Sequence, residues 1–166
     1  VAGQKCVLYE ESGDMLSLFP KSWFDAFGGD EFYWHGCEEW WAGFPVIMWL
    51  QLTTDADGGG GQIRLYAEVG PLIDHDFRSG PIKDIQTAAK ANNLAQRIGF
   101  QRGAANEGKK YSKFFKKNSF PVDDVHDHDK IAAAIRKALK SFRPEFDAVA
   151  TKLPVYIVHA QSEASS

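Results

Sequence analysis

Seven consecutive residues, Asp123-Asp124-Val125-His126-Asp127-His128-Asp129, place four carboxylates and two imidazoles in one short stretch. Oxygen and nitrogen donors of this kind bind divalent metals, which makes Asp124, His126 and His128 candidate ligands. Yet neighbouring residues rarely converge on one ion without a defined loop geometry. The spacing matches neither an EF-hand loop nor an HExxH helix. The alternative is a solvated loop whose last aspartate, Asp127 or Asp129, caps the helix that follows. The expectation is no bound metal and no cofactor.

Asp74-His75-Asp76 is a second acidic-histidine group. It lies just ahead of a helical pattern, where negative charge is favoured by the helix dipole. Glu107-Gly108-Lys109 spells Glu-x-Lys. In a metal-dependent nuclease such a carboxylate binds the metal, and the lysine steadies the attacking water or the phosphate. Asp76 could serve as the upstream aspartate. The flanks Ala104-Ala105-Asn106 and Gly108 are not those of an apolar strand, so the match fits chance better.

Lys109, Lys110, Lys113, Lys116 and Lys117 interleave with Tyr111, Phe114 and Phe115, and Arg102 extends the run. Such a stretch can neutralise phosphates while its rings stack on bases. The competing explanation is a strand edge, where lysines block edge-to-edge pairing and the rings face the core. Trp34, Trp40 and Trp41 offer either an exposed anchor for a partner or core packing, with core favoured. The glycines from 58 to 61 lack phosphate-loop spacing and lead into a strand. Residue order alone names no catalytic triad, and Cys37 beside His35 is too generic to define one.

The elements that must position these groups follow from patterning. Residues 5–11 and 15–19 read as short strands around a Gly13-Asp14 turn, stopped by Pro20. Residues 21–27 form a helical turn, with Trp23, Phe24 and Phe27 on one side. The aromatic stretch 32–41 reads as a strand plus a connection. Residues 46–52 are apolar on both alternating faces, 55–61 form a loop, and 63–69 alternate until Gly70-Pro71. Ser79 and Pro81 are start signals for a helix to about Ile98, stopped by Gly99. Residues 109–120 read as a strand ended by Pro121. Ile131, Ile135, Leu139 and Phe142 recur at intervals of four, four and three residues, which is helical spacing. Pro144 breaks that helix. Phe146, Val149 and Leu153 mark a shorter one.

Bulk composition fits this picture. The 166 residues are 44% hydrophobic and 25% charged, as in ordinary globular chains, so one domain is expected. A net charge of −3 gives no global basic field, so nucleic-acid binding would have to be local. Two cysteines, Cys6 and Cys37, form neither a CxxC pair nor a disulfide framework, which points to the cytoplasm. No segment is apolar enough to span a bilayer. The start Val1-Ala2-Gly3-Gln4-Lys5 is not a signal peptide, and without an initiator Met it suits a processed chain or a fragment.

Three segments in order carry a resemblance. Met15-Leu16-Ser17-Leu18-Phe19-Pro20-Lys21-Ser22-Trp23 resembles a strand ending in F-L-P-K-x-W. Residues 62–71, closing on Val69-Gly70-Pro71, resemble a strand of the form L-x-L-x-x-x-I-G-P that leads into a helix. Lys110-Tyr111-Ser112-Lys113-Phe114-Phe115, an acidic turn and the helix 131–142 complete the order. Together they resemble the C-terminal region that follows the nuclease core in bacterial PD-(D/E)XK nuclease family proteins. The resemblance covers most of residues 7–153. It implies an accessory module without the catalytic Asp and Glu-x-Lys, which such proteins carry in an N-terminal half that this chain lacks.

The expected architecture is one α+β domain over residues 1–160, with a disordered tail at 161–166. It comprises an antiparallel sheet of about four or five strands with two or three helices packed on one face. The expected role is a non-catalytic accessory module that binds DNA or a protein partner, such as a nuclease core. Arg102, Lys109, Lys110, Lys113, Lys116 and Lys117 are its candidate contacts. A stand-alone metal-dependent nuclease or hydrolase and a homodimerising structural domain are the alternatives.

Overall fold

The structure, a computed structural model, describes residues 6–31, 34, 36–38, 40, 43–72 and 74–156. The expected tail at 161–166 and the Phe32, Tyr33, His35 and Trp41 positions lie outside the described residues.

The fold is α+β, as expected, with more elements than the sequence pattern suggests. Among the described residues six strands form one antiparallel sheet: β1 Cys6–Ser12, β2 Met15–Pro20, β3 Val46–Thr54, β4 Gly61–Val69, β5 Ser112–Lys113 and β6 Ser119–Val122. Among the described residues four α-helices accompany it, α1 Lys21–Ala26, α2 His75–Ala91, α3 His128–Ser141 and α4 Arg143–Ala150, with a 3-10 turn at Gly29–Glu31. The sheet nevertheless has only five lateral positions. The order is β1-β2-β3-β4-β5, and β6 pairs with the same strand, β4, as β5 does. The single strand expected over 109–120 is therefore two short ones. Between them the chain leaves the sheet, and Gly99 and Lys116 donate backbone N–H groups to Phe114 and Arg97. Pro121 does not end β6 but lies inside it, opposite Gln62, at the sheet's edge where a missing N–H is tolerated.

The β3–β4 hairpin is the centre. Its register runs unbroken from Val46↔Val69 to Thr54↔Gly61. Val46 to Leu50 are all buried, which matches a strand apolar on both faces. On β4, Ile63, Leu65, Ala67 and Val69 are buried, while Arg64 and Tyr66 on the other face keep solvent access. The hairpin loop closes with Asp55 N–H on Gly60 O and Gly58 N–H on Asp55 O, and Gly58 takes a φ of +76°.

Helix α2 begins four residues earlier than Ser79. Asp74 is its N-cap, accepting from the backbone N–H groups of Asp76 (2.8 Å) and Phe77 (3.4 Å). Pro81 consequently sits inside the helix. The helix ends before Leu94, because Asn93 takes a φ of +58°. Leu94 N–H then bonds Ala89 O and Asn93 N–H bonds Lys90 O, the paired bonds of a Schellman motif. Helix α3 is capped by Asp127, whose carboxylate accepts from Asp129 and Lys130 N–H. Pro144 does not simply break α3; it lies in the first turn of α4, where its missing N–H costs nothing.

Aromatic rings fill the space between helices and sheet. Trp23 of α1 donates its indole N–H to Phe146 O of α4 at 2.9 Å and packs edge-on against the Phe146 ring. Phe115 bridges Phe114, Phe142 and Phe146. Trp34 and Trp40 are buried, so the core explanation holds for both. Among the described residues no helix is long and apolar enough to cross a membrane.

Candidate anion-binding cleft

The Asp/His stretch is occupied with local structure. Asp124 accepts from the backbone N–H of His126 at 2.9 Å. His126 Nε2 lies 3.1 Å from Gly58 O, and Val125 N–H donates to Gly59 O, so the stretch clasps the β3–β4 loop. Asp127 caps α3, and His128 is its first residue. Among the described residues no three His, Cys, Asp or Glu side chains gather in a group that could hold a metal ion, and Asp124, His126 and His128 form no such group. Glu107-Gly108-Lys109 falls on a turn, with Gly108 at a φ of +82° and Lys109 N–H on Asn106 O.

The basic run divides into two groups. Lys116 folds its chain over Gly99, and Lys117, at a φ of +50°, donates its ammonium to Gln96 Oε1 at 2.8 Å. Lys110 is exposed. Arg102, Lys109 and Lys113 instead line one cleft of about 240 Å³, together with Glu68, Tyr111 and Ser112. Its walls come from the end of β4, the turn-rich loop 101–111 and β5.

Each wall has a physical anchor. Glu68 and Lys113 are directly opposite on β4 and β5, so their side chains share a face. Lys113 Nζ stands 4.4 Å from the Tyr66 ring centroid and 5.1 Å from that of Trp49, two rings stacked at 4.9 Å. That aromatic pair holds the ammonium in place by cation–π attraction. Tyr111 is 57% exposed at the rim, its ring 6.1 Å from the buried Trp40. Trp40 in turn lies flat against Gly70, where any side chain would overlap its ring.

Beneath the cleft lies Arg78 of α2, which is 2% exposed. Its Nε donates to Gly70 O (2.8 Å), its Nη1 to Ala104 O (2.9 Å), and its Nη2 to Val69 O (3.1 Å) and Ser112 Oγ (2.8 Å). The Ser112 hydroxyl in turn donates to Ala104 O at 3.1 Å. One guanidinium thus ties β4, the 101–111 loop and β5 together. Its four hydrogen-bond partners are neutral, so its charge acts on the cleft above, where Glu68 is the carboxylate that feels it. Burial pulls Arg78 below its ordinary value while the Glu68 carboxylate opposes this, and a guanidinium keeps its proton regardless.

Glu68 is 9% exposed. Burial pushes its carboxyl above the ordinary carboxylate value, against the opposing pull of Lys113 and Arg78.

Sequence reasoning picked out Arg102, Lys109 and Lys113 but not Glu68 or Arg78. A signal for Arg78 exists: with Ile82, Ile85 and Ala89 it falls at intervals of four, three and four residues, on the buried stripe of α2. Glu68 is the last polar position of an alternating strand, directly before Val69-Gly70-Pro71.

Compared with known proteins, the chain matches no family model, no curated protein and no solved structure.

Proposed function

We propose that the chain is a non-catalytic accessory module that engages the phosphate backbone of DNA at the cleft of Arg102, Lys109 and Lys113. The observation that carries this is convergence: three cations from separate turns of the chain meet at one concave site, beside an exposed tyrosine ring suited to stacking on a base. The buried charge of Arg78, hydrogen-bonded to neutral partners, adds a positive field that the nearby Glu68 carboxylate offsets in part. The resemblance to the region following a PD-(D/E)XK nuclease core suggests the same role.

The test is fluorescence anisotropy of a labelled oligonucleotide, single-stranded and duplex, over a salt series beginning at about 50 mM. Replacing Arg102 and Lys109 by Ser should weaken binding and reduce the slope of log K against log salt by about 1.5–2. Lys116→Ser with Lys117→Ser, away from the cleft, should leave both nearly unchanged. Absence of binding at the lowest salt, or a slope indifferent to the cleft substitutions, defeats the proposal; binding of a protein partner instead would move the role to that class.

A further inference from the structure

The cleft contains a group that a phosphate site does not ordinarily include. Glu68 lines the same walls as Arg102, Lys109 and Lys113, so an anion held by those cations must also sit beside Glu68. As a carboxylate, Glu68 can only accept hydrogen bonds and repels the incoming charge. As a carboxylic acid it is neutral and has an O–H to donate. A phosphate oxygen is an acceptor, so only the acid form is complementary to it.

The surroundings permit that change. Lys113 faces Glu68 from β5, Arg78 from α2, and Arg102, Lys109 and Tyr111 line the cleft from the 101–111 loop. On the remaining side its cross-strand partner on β3 is Ile47, which is fully buried and uncharged. The cations favour the ionised form in the empty cleft. A bound phosphate neutralises part of that field and adds its own negative charge, and both effects favour protonation.

We propose that Glu68 belongs to the anion site and enters it as the neutral acid, so that phosphate binding takes up a proton from solvent and the Glu68 O–H donates to a phosphate oxygen. The inference rests on the cleft being the phosphate site. It makes affinity dependent on pH, with one proton gained for each phosphate seated. Burial of the carboxyl, which already holds its proton more tightly than an exposed glutamate does, works in the same direction.

The test uses an oligothymidylate, whose phosphodiesters keep a constant charge across about pH 5 to 8. Wild type and Glu68→Gln share every histidine, so the difference between their pH profiles isolates Glu68. Wild-type affinity should fall with rising pH by up to about tenfold per unit, the limit for a single linked proton. Glu68→Gln carries a permanent donor and no charge. It should bind at the alkaline end about as tightly as wild type does at the acid end, with the Glu68-dependent slope gone. Parallel profiles, or weaker binding by Glu68→Gln at every pH, overturn the inference while leaving the cleft as the DNA site. Failure of either protein to bind at any pH overturns both. Should Glu68→Gln not fold, calorimetry of the wild type in two buffers of different ionisation enthalpy decides the matter: a buffer dependence with the sign of proton uptake supports it, and equal heats or the opposite sign refute it.

Discussion

Arg78→Ala is the substitution that most directly tests how the cleft is built. It removes four hydrogen bonds from a charged donor, takes the guanidinium from the carbonyls of Val69 and Gly70 in a dry interior, and leaves Ala104 O with the Ser112 hydroxyl. Bonds to charged groups contribute roughly 1.5–3 kcal/mol each, or about 6–12 kcal/mol gross for four. Holding a guanidinium out of water costs several kcal/mol against that sum, which leaves a net loss of about 3–5 kcal/mol on truncation. In a chain of this length that lowers the melting temperature by about 6–20 °C. Urea unfolding should show the midpoint falling with an unchanged slope. Arg78→Lys keeps the charge but not the planar fork, and should recover less than half of the loss. If the cleft is the DNA site proposed above, oligonucleotide affinity should also fall, because the 101–111 loop would no longer be tied to β4 and β5. A loss below about 1 kcal/mol for Arg78→Ala would refute the view that this side chain holds the three walls together.

Three further outcomes are expected. Gly70→Ala forces Trp40 off the sheet, costing about 1–3 kcal/mol and changing tryptophan emission; unaltered emission and stability would show that the Trp40 contact is dispensable. The Cys37 thiol, which donates to Pro71 O, is pushed up to about 12 by burial and then by Glu38, so at neutral pH a thiol reagent should modify it only as fast as the chain unfolds, after the partly exposed Cys6. Equal, rapid modification of both cysteines in the folded protein would contradict this. Glu68 titrates above its ordinary value of 4.5 in the fold, so its stabilising contribution is complete below that value and is lost as pH rises through the folded-state pKa. The unfolding free energy of Glu68→Gln relative to wild type should therefore grow with pH from about 4.5 upward, and a constant difference would falsify the burial argument.

The scaffold was more legible in the residues than the site was. The β3–β4 hairpin is written in period-two alternation with a glycine-rich loop, and α3 in its four-four-three spacing. Helix α2 was legible only in part, because two local signals competed. Pro81 imitates a first-turn proline, but the Asp74 cap satisfies the N–H groups of Asp76 and Phe77 and starts the helix earlier. At the other end, Leu94 and Ile98 continue an apolar period that the left-handed Asn93 has already interrupted. The basic run looked continuous because charge shows no bend. Backbone pairing of 114–116 with 97–99 sends Lys116 and Lys117 one way and leaves Lys113 with Arg102 and Lys109. Glu68 and Arg78 meet the cleft through sheet register and helix docking, and neither is a local property of sequence.

The split fifth position of the sheet limits how this protein can join another chain. A peptide adds to a sheet by bonding its backbone along an uninterrupted edge. On one side that edge is two residues of β5, a departure into the 97–99 segment, and four residues of β6 that include Pro121. On the opposite side β1 shifts register between Leu8 and Glu10. Neither flank of the described sheet offers a straight template. Copies of the chain are thus guarded against stacking strand on strand into fibrils. A protein partner would have to grip side chains rather than extend the sheet, as the face carrying Tyr66, Lys113 and the cleft would allow.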